Sequence, residues 1–369
     1  MCVVFIASSC DSISPTNSNT PISTIKSNLK YSFEKEDTIP SIFLELIPKM
    51  SSNDYEESNY ITFKVENSND FDITLKAYGE ITDYTNLAKK TITVESGKSA
   101  SFGLFPMLSP GVFSSLSELK AIPYNIKLDF IYENETINLI EETPTAILTA
   151  KDVIYWSMYD DESDEWINLC FLIAGWVTPH VSEVDELIRV AAAYHSSGQL
   201  IGYQGTPDPD KGLIAAGQVE AIFNALKTQY LITYINSSIS YPTGTQRVKY
   251  PADALNLASA NCIDGTILIA AALENIGLKP VVILVPGHAF IGWYTWEDSE
   301  TIDALETTMI GNSDFYSAHS QGITELHNEF NNGNFDSGIS QMIDIQQMRN
   351  FGLTPLMKRR VTQVTAIEK

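Results

Sequence analysis

The first part of the chain alternates apolar and polar residues with a period of two. Four stretches share this alternation, and polar turn sequences separate them: residues 60–67, 73–77, 92–94 and 126–132. Successive side chains of a strand point to opposite faces, so the pattern is typical of short strands with one buried face. Several such strands in series predict an antiparallel β-sandwich over residues 31–155.

From Trp166 onwards, apolar residues recur every three or four positions, which is typical of helices that bury one face. The pattern predicts three helices, and they begin near Ser182, near Gln218 and at Cys262. The third is rich in alanine and leucine and ends at Gly277, because glycine readily adopts the conformation that stops a helix. Alternation then returns and predicts strands over residues 281–285, 288–294 and 302–307. The sequence therefore predicts an α+β domain over residues 156–369.

The first ten residues are a short apolar run that ends in small residues and a cysteine. This resembles the end of a bacterial lipoprotein signal, with Ala7-Ser8-Ser9 before Cys10 and Cys10 as the lipidated residue. Residues 12–27 are rich in Ser, Thr, Asn and Pro, the composition of a flexible tether. The resemblance implies that residues 1–30 tether the protein to the cell envelope, outside the cytoplasm. The alternative is an N-terminus in which Cys10 has no role.

The net charge of −23 argues against nucleic acid as a partner, because phosphate binding needs clustered Lys and Arg. It equally disfavours docking on an anionic membrane by charge, so a membrane partner is expected only through Cys10. Of the four cysteines, only Cys170 and Cys262 lie in the predicted domains, and no Cys or His spacing is typical of zinc. No disulfide framework, metal or other cofactor is expected, and the oligomeric state is left open.

Three residues within about 45 positions offer the chemistry of an activated thiol. Cys262 opens a helix, where unpaired backbone N–H groups favour an anion and so favour the thiolate. His288 begins a predicted strand and can serve as the base, and Glu306 on the next strand can orient the imidazole. This order of helix, strand and strand predicts a Cys262–His288–Glu306 catalytic triad.

The predicted hairpin decides which acid orients the histidine. Pairing His288 with Glu306 centres the turn within the polar residues 296–299, and directly opposed side chains lie on one face about 4.5–5.5 Å apart. Asp303 would require a less natural turn centre and is the reserve acid. The backbone N–H of Cys262 is one candidate oxyanion donor, and the side chain of Gln246 is a second. Asp264 is expected to cap or support the helix.

Four short motifs in this region resemble those of the transglutaminase-like superfamily, whose cysteine–histidine–acid site is shared with papain-like enzymes. They are Cys262-Ile263-Asp264, the helix end Leu273-Glu274-Asn275-Ile276-Gly277-Leu278-Lys279-Pro280, Gly287-His288-Ala289-Phe290 and Glu306-Thr307-Thr308. The resemblance is strongest over residues 241–311. It implies a papain-like α+β domain in which the cysteine begins a helix packed on an antiparallel sheet. The acid of the family is commonly Asp followed by Pro-Thr, so Glu306 departs from it by one methylene. The preceding sandwich resembles an immunoglobulin-like accessory domain.

The resemblance and the triad together imply a cell-envelope thiol hydrolase or protease-like enzyme. Its substrate would be a protein or peptide, cut at an amide or isopeptide bond through a thioacyl intermediate. Two alternatives stay open. One is a protein-glutamine transamidase that cross-links to an amine acceptor. The other is a catalytically silent surface protein that keeps the fold to bind a partner.

Overall fold

The computed structural model describes most of the chain, in six segments: 20–49, 59–133, 135–160, 163–205, 211–236 and 239–357. Within these limits the residues form two compact units. The first comprises residues 20–39, 59–109 and 121–147, and the second comprises 40–49, 110–120 and 148–357. The protein is a mixed α+β chain with several antiparallel sheets. The main division, near residue 147, lies eight residues before the predicted one at 155.

The N-terminal anchor lies outside the described residues, which begin at residue 20, so the lipid on Cys10 stays a prediction. The prediction of a flexible tether over residues 1–30 is wrong for its last residues, which form regular structure. Helix α1 (Ile22–Ser27) lies within it and strand β1 (Leu29–Lys35) begins there. Ile25 and Leu29 are buried and anchor this segment. The sequence did not indicate this because Ser, Thr and Asn dominate the composition of residues 12–27. Within the described segments, no helix combines the length and the apolar character that a membrane span requires.

The first unit consists mainly of strands. After β1 these are β2 (Thr38–Ile39), β3 (Ile61–Asn67), β4 (Ile73–Ile81), β5 (Ala88–Val94), β6 (Ser99–Leu104), β7 (Lys120–Tyr132), β8 (Glu135–Glu142) and β9 (Thr145–Leu148). One sheet has the order β1-β3-β6, and the other has the order β2-β9-β7-β4-β5, with β8 also paired to β7. The pairs β1–β3, β3–β6, β4–β5, β4–β7 and β7–β8 are antiparallel.

The alternation predicted for these strands is confirmed. Every second residue of β3 and β4 is buried, and the intervening residues are partly or fully exposed. The two sheets pack face to face, and they approach each other closely at Gly79 of β4. A Cβ added there would lie 2.4 Å from Ile61 Cδ1 of β3, in the opposite sheet. The buried faces form the core of the unit because each sheet removes the apolar side chains of the other from water.

The second unit mixes helices with short strands. Its elements are α2 (Ser41–Leu46), α3 (Val112–Ser115), β10 (Val153–Tyr155), β11 (Ser157–Asp160), β12 (Glu165–Asn168), α4 (Ser182–Ala191), α5 (Lys211–Thr228), β13 (Thr233–Tyr234), β14 (Thr245–Arg247), α6 (Pro251–Leu257), β15 (Ser259–Ala260), α7 (Cys262–Asn275), β16 (Pro280–Val285), β17 (His288–Tyr294), β18 (Ile302–Leu305), α8 (Phe315–Asn331), β19 (Gln341–Asp344) and α9 (Ile345–Asn350). Short 3₁₀ helices join several of them, including one at Thr307–Met309.

A four-stranded antiparallel sheet of order β18-β17-β16-β19 is the centre of this unit. Helix α7 packs on β16 and β17, and every residue from Cys262 to Leu273 is buried. A helix that is apolar all round is typical of such a central position. Helix α8 packs along β18, where Leu326 joins Phe290 and Ala304 in an apolar cluster. The start of α7 and one edge of the sheet thereby come together.

Candidate active site

Helix α7 begins with a capping box that fixes the position of Cys262. Asn261 is the N-cap, and its side chain accepts a hydrogen bond from Asp264 N at 2.8 Å. In return, Asp264 Oδ2 accepts from Asn261 N at 3.2 Å. The same carboxylate also accepts from Lys249 N at 2.8 Å. These bonds satisfy backbone donors that the first turn of a helix leaves without partners. Asp264 therefore supports the nucleophile position, as the sequence predicted.

Replacing Asp264 with Asn should destabilise the second unit by about 1–2 kcal/mol. The carboxylate is buried and only accepts hydrogen bonds, whereas an amide would turn an NH₂ group towards donors from Asn261 or Lys249. Urea unfolding followed by tryptophan fluorescence measures this loss. The matched control is Asp253→Asn in the first turn of α6, where the side chain is exposed and a change within about 0.5 kcal/mol is expected. Equal losses in the two variants would contradict this role.

His288 is the first paired residue of β17, directly after a tight turn. Val285 and His288 are partners across the β16–β17 hairpin, and Gly287 between them has φ of +77°. This left-handed conformation suits glycine, and Gly287 N also donates to Tyr241 O at 3.3 Å. The hairpin and this bond fix the point at which His288 leaves the sheet. About a quarter of its side chain stays exposed, at 26%.

Glu306 follows the last residue of β18 and caps the 3₁₀ helix Thr307–Met309. Its Oε1 accepts a hydrogen bond from Thr308 N at 2.8 Å, and its Oε2 lies 2.7 Å from His288 Nε2. The backbone N of Glu306 donates to Ala318 O of α8 at 3.0 Å. Both carboxylate oxygens are thus engaged, and the residue is buried. The carboxylate is held rigidly against the imidazole.

The strand register differs from the predicted one by two residues. Direct pairing of His288 with Glu306 would place Asp303 opposite Ile291, but the partner of Asp303 is Trp293. A shift of two keeps each side chain on its face of the sheet, whereas a shift of one would reverse it. Glu306 therefore still faces His288, along a diagonal. The extra methylene of Glu relative to Asp suits this longer reach.

The thiol of Cys262 completes the arrangement, because it lies near enough to the His288 ring to be one of the groups that raise the pKa of the imidazole. Because Nε2 faces the carboxylate of Glu306, Nδ1 is the ring nitrogen available to the sulfur. Thr307, which follows Glu306, links the acid to the start of α7, since its hydroxyl donates to Cys262 O at 3.1 Å. The structure thus brings the three residues of the predicted triad into one contact chain: sulfur, imidazole, carboxylate.

The electrostatics of the site favour a charged histidine. Burial alone would lower the pKa of His288, but the hydrogen bonds with Cys262 and Glu306 raise it well above its ordinary value. A protonated imidazole stabilises a neighbouring thiolate, which is the reactive form of cysteine. The sulfur is closely covered, because Cys262 is only 2% exposed.

No protein-family model matches the chain, and no curated protein does. Among solved structures, similarity is found to a FixG-related protein from Vibrio parahaemolyticus, with a TM-score of 0.20 and 13% identity over 34% of this chain and 97% of that one. The YadV chaperone gives a TM-score of 0.22 and 6% identity over 36% and 61%. An exo-chitosanase from Amycolatopsis orientalis gives a TM-score of 0.17 and 7% identity over 58% and 28%. These TM-scores are too low for the likeness to carry an argument.

The structure separates Asp303, the reserve acid, from the triad. Its Oδ1 lies 2.6 Å from His319 Nε2, on α8, so it forms a second histidine–aspartate pair. Gln246 uses its Oε1 to accept from Trp156 Nε1 at 3.3 Å and from Ser240 N at 3.2 Å. The bond from Ser240 holds Gln246 beside Tyr241, whose carbonyl oxygen accepts from Gly287 N in the turn before His288. Among the described residues the amide NH₂ group of Gln246 has no hydrogen-bond acceptor, and the role of Gln246 as an oxyanion donor stays a prediction.

Two residues near the triad were not foreseen. Tyr234 lies on β13, which pairs with β15 just before Cys262, and the pKa of its phenol is raised by burial and then by the charge of Cys262. Tyr234 is 39% exposed. Glu325 of α8 places Oε2 3.5 Å from His288 Nε2. Its helix has a readable signal: apolar residues and Gly322 recur at 315, 318, 322 and 326 after the N-cap residue Asp314.

The histidine and the two glutamates also form a group with the chemistry of metal ligands. One ligand atom from each of His288, Glu306 and Glu325 lies within 4.8 Å of the others. Sequence spacing gave no sign of this group because its members come from three separate elements. The 2.7 Å distance between His288 Nε2 and Glu306 Oε2 is that of a charge-assisted hydrogen bond.

Proposed function

We propose that this protein is a thiol-dependent hydrolase that acts on a peptide or protein substrate. It would cleave an amide bond, either a peptide bond or an isopeptide bond, through a thioacyl intermediate. The observation that supports the proposal is the contact chain from the Cys262 thiol through His288 to the buried carboxylate of Glu306. A transglutaminase-like domain preceded by an immunoglobulin-like sandwich is the finer fold that we propose. Water is the proposed acceptor, since no feature of the described part of the site marks a binding position for a lysine amine.

In the proposed first step, the thiolate of Cys262 attacks the carbonyl carbon of the substrate and a C–S bond forms. The imidazolium of His288 then gives its proton to the leaving nitrogen as the C–N bond breaks, and an amine departs. The product is a thioester on Cys262 and a neutral imidazole. Glu306 keeps the Nε2 side of the ring hydrogen-bonded throughout, which orients Nδ1 towards the sulfur and the substrate.

In the second step, neutral His288 accepts a proton from water as the oxygen attacks the thioester. The C–S bond breaks, a carboxylic acid leaves, and the thiolate–imidazolium pair is restored. The oxyanion of both tetrahedral intermediates needs hydrogen-bond donors. Cys262 N is proposed as one, since the first N–H groups of a helix have no intrahelical acceptor. The NH₂ group of Gln246 is proposed as the second.

The two cysteines of the second unit provide an internal test. Cys170 and Cys262 are both free thiols and are equally covered, at 3% and 2% exposure. They differ in their surroundings, because burial raises the pKa of Cys170 to about 12, whereas Cys262 contacts a histidine. Iodoacetamide at pH 7 should therefore label Cys262 at least about 100-fold faster than Cys170. Peptide-resolved mass spectrometry against time measures both rates in one sample.

A native-state rate for Cys262 no greater than that for Cys170 would contradict the proposal, provided that both thiols react fully after unfolding. The chemical step itself is tested with acylated peptide substrates and an acid quench. A hydroxylamine-labile acyl group on Cys262, lost in Cys262→Ser, is the expected adduct. Release of free acid identifies water as the acceptor. Transfer of the acyl group to added amines instead would identify a transamidase.

A further inference from the structure

The His288 ring faces two carboxylates rather than one. Glu306 Oε2 lies 2.7 Å from Nε2, and Glu325 Oε2 lies 3.5 Å from the same nitrogen. The two acids come from different elements, since Glu306 follows β18 and Glu325 lies on α8. The second carboxylate has no place in the proposed triad. Its oxygen is buried and has no other hydrogen-bond partner among the described residues.

We propose that Glu325 is a positioning residue of this site: with Glu306 it brackets the Nε2 side of His288 and keeps the imidazole protonated. The inference deepens the proposed function and rests on it for its catalytic meaning. The geometry itself stands on the distances alone. A neutral imidazole beside two ionised carboxylates would leave their negative charges to repel each other, whereas an imidazolium attracts both.

The orientation of Glu325 supports this assignment. Its Oε1 is held by Gln321 Nε2 at 2.9 Å, one turn earlier on α8, and this bond turns Oε2 inwards. The side chain is 28% exposed, compared with 4% for the side chain of Glu306. Glu306 therefore fixes the ring, and Glu325 adds charge from the solvent side.

The protonation of His288 depends on every titratable group that faces it from the elements packed around it. Cys262 lies on α7, Glu306 follows β18, and Glu325 lies on α8; the Tyr234 phenol on β13 is also close enough to feel the imidazole charge. Burial is the largest single influence and would raise the pKa of Glu325, but the interactions with His288, Gln321 and Glu306 together outweigh it and lower that pKa. This direction agrees with an imidazolium at the centre of the group.

The test is a histidine titration by NMR in a Cys262→Ser background, which removes the thiolate charge and any dependence on catalysis. The chain has five histidines, and a His288→Gln variant assigns the resonance. Glu325→Gln keeps the shape of the side chain and removes its charge, so the titration midpoint of His288 should fall by about one pH unit or more. Samples contain EDTA, so that no adventitious metal occupies the group.

Glu329→Gln is the matched control, because it removes the same charge from the same helix one turn further on, where the carboxylate binds Asn334 and Ser340. In this variant the His288 midpoint should stay within about 0.3 pH units of the reference, since the described contacts of the Glu329 carboxylate do not include the imidazole and salt screens the charge between them. An unchanged midpoint in Glu325→Gln overturns the proposal. So does an equal shift in both variants, or a shift that appears only without EDTA. Unreactive Cys262 with a shifted midpoint would instead defeat only the proposed function.

Discussion

At pH 6.5, Cys262 of a His288→Ala variant should react with iodoacetamide about 100-fold more slowly than the thiol of the unaltered protein. An unassisted thiol is only about 1% thiolate at this pH, because its ordinary pKa is ~8.5. In the proposed site, the imidazole that Glu306 holds is protonated and stabilises the anion. The two rates should converge near pH 9.5, where the thiol ionises without help. Rates measured from pH 5 to 10 give both limits.

His319→Ala is the control for this experiment. His319 also pairs with a carboxylate, Asp303, at 2.6 Å, and it lies in the same unit, but it has no contact with the sulfur. Its removal should change the Cys262 rate by less than about twofold at every pH. Equal slowing in both variants would show that the thiol responds to loss of packing and not to the imidazole. Unchanged reactivity in His288→Ala would remove the basis of the triad.

A Gly322→Ala variant should lose about 3 kcal/mol of the free energy of unfolding of the second unit. Gly322 lies within α8, where alanine is the better helix former by about 1 kcal/mol. Sterics oppose this gain, because the added Cβ would lie 2.6 Å from Leu305 N and 2.7 Å from Leu305 Cα. These are backbone atoms of a strand, which cannot rotate away as a side chain can. The clash forces α8 off β18, so its cost lies at the upper end of overpacking penalties.

Tryptophan fluorescence can measure the stability of the second unit by itself. All five tryptophans, at positions 156, 166, 176, 293 and 296, lie in that unit. Urea unfolding followed by their fluorescence reports on that unit. Gly217→Ala in α5 is the matched control, because its Cβ would lie at an ordinary 3.5 Å from His195 Nε2. This variant should gain about 0.5–1 kcal/mol. A stabilised Gly322→Ala would show that α8 does not press closely on β18.

The sequence supplied the parts of the site that depend on local pattern. The N-terminus of α7 follows from Asn261 and Asp264 around Cys262, and the start of β17 follows from Gly287 before His288. These features are set within four residues. Face alternation then brought Glu306 to the correct side of the sheet even though the register was wrong.

The register itself depends on the loop between β17 and β18, which polar side chains hold open. Ser299 Oγ accepts from Thr301 N at 2.9 Å and lies 2.8 Å from Thr295 Oγ1. These bonds lengthen the turn beyond the one predicted from its polar residues. Glu325 was missed for a different reason. It reaches His288 only because α8 packs along β18, a contact between segments far apart in the sequence.

The backbone of the first turn of α7 is bonded on every side of the sulfur-bearing residue. Asn261 and Asp264 bond each other around it, while Thr266 and Thr307 both donate to its carbonyl oxygen. In the proposed reaction, the backbone that carries the nucleophile would therefore lose its freedom once, when the chain folds, and not again each time a substrate binds. Such preorganisation would make part of the entropic cost of the proposed reaction a cost of folding. Changes that loosen this turn should slow the reaction even when every reacting atom is still present.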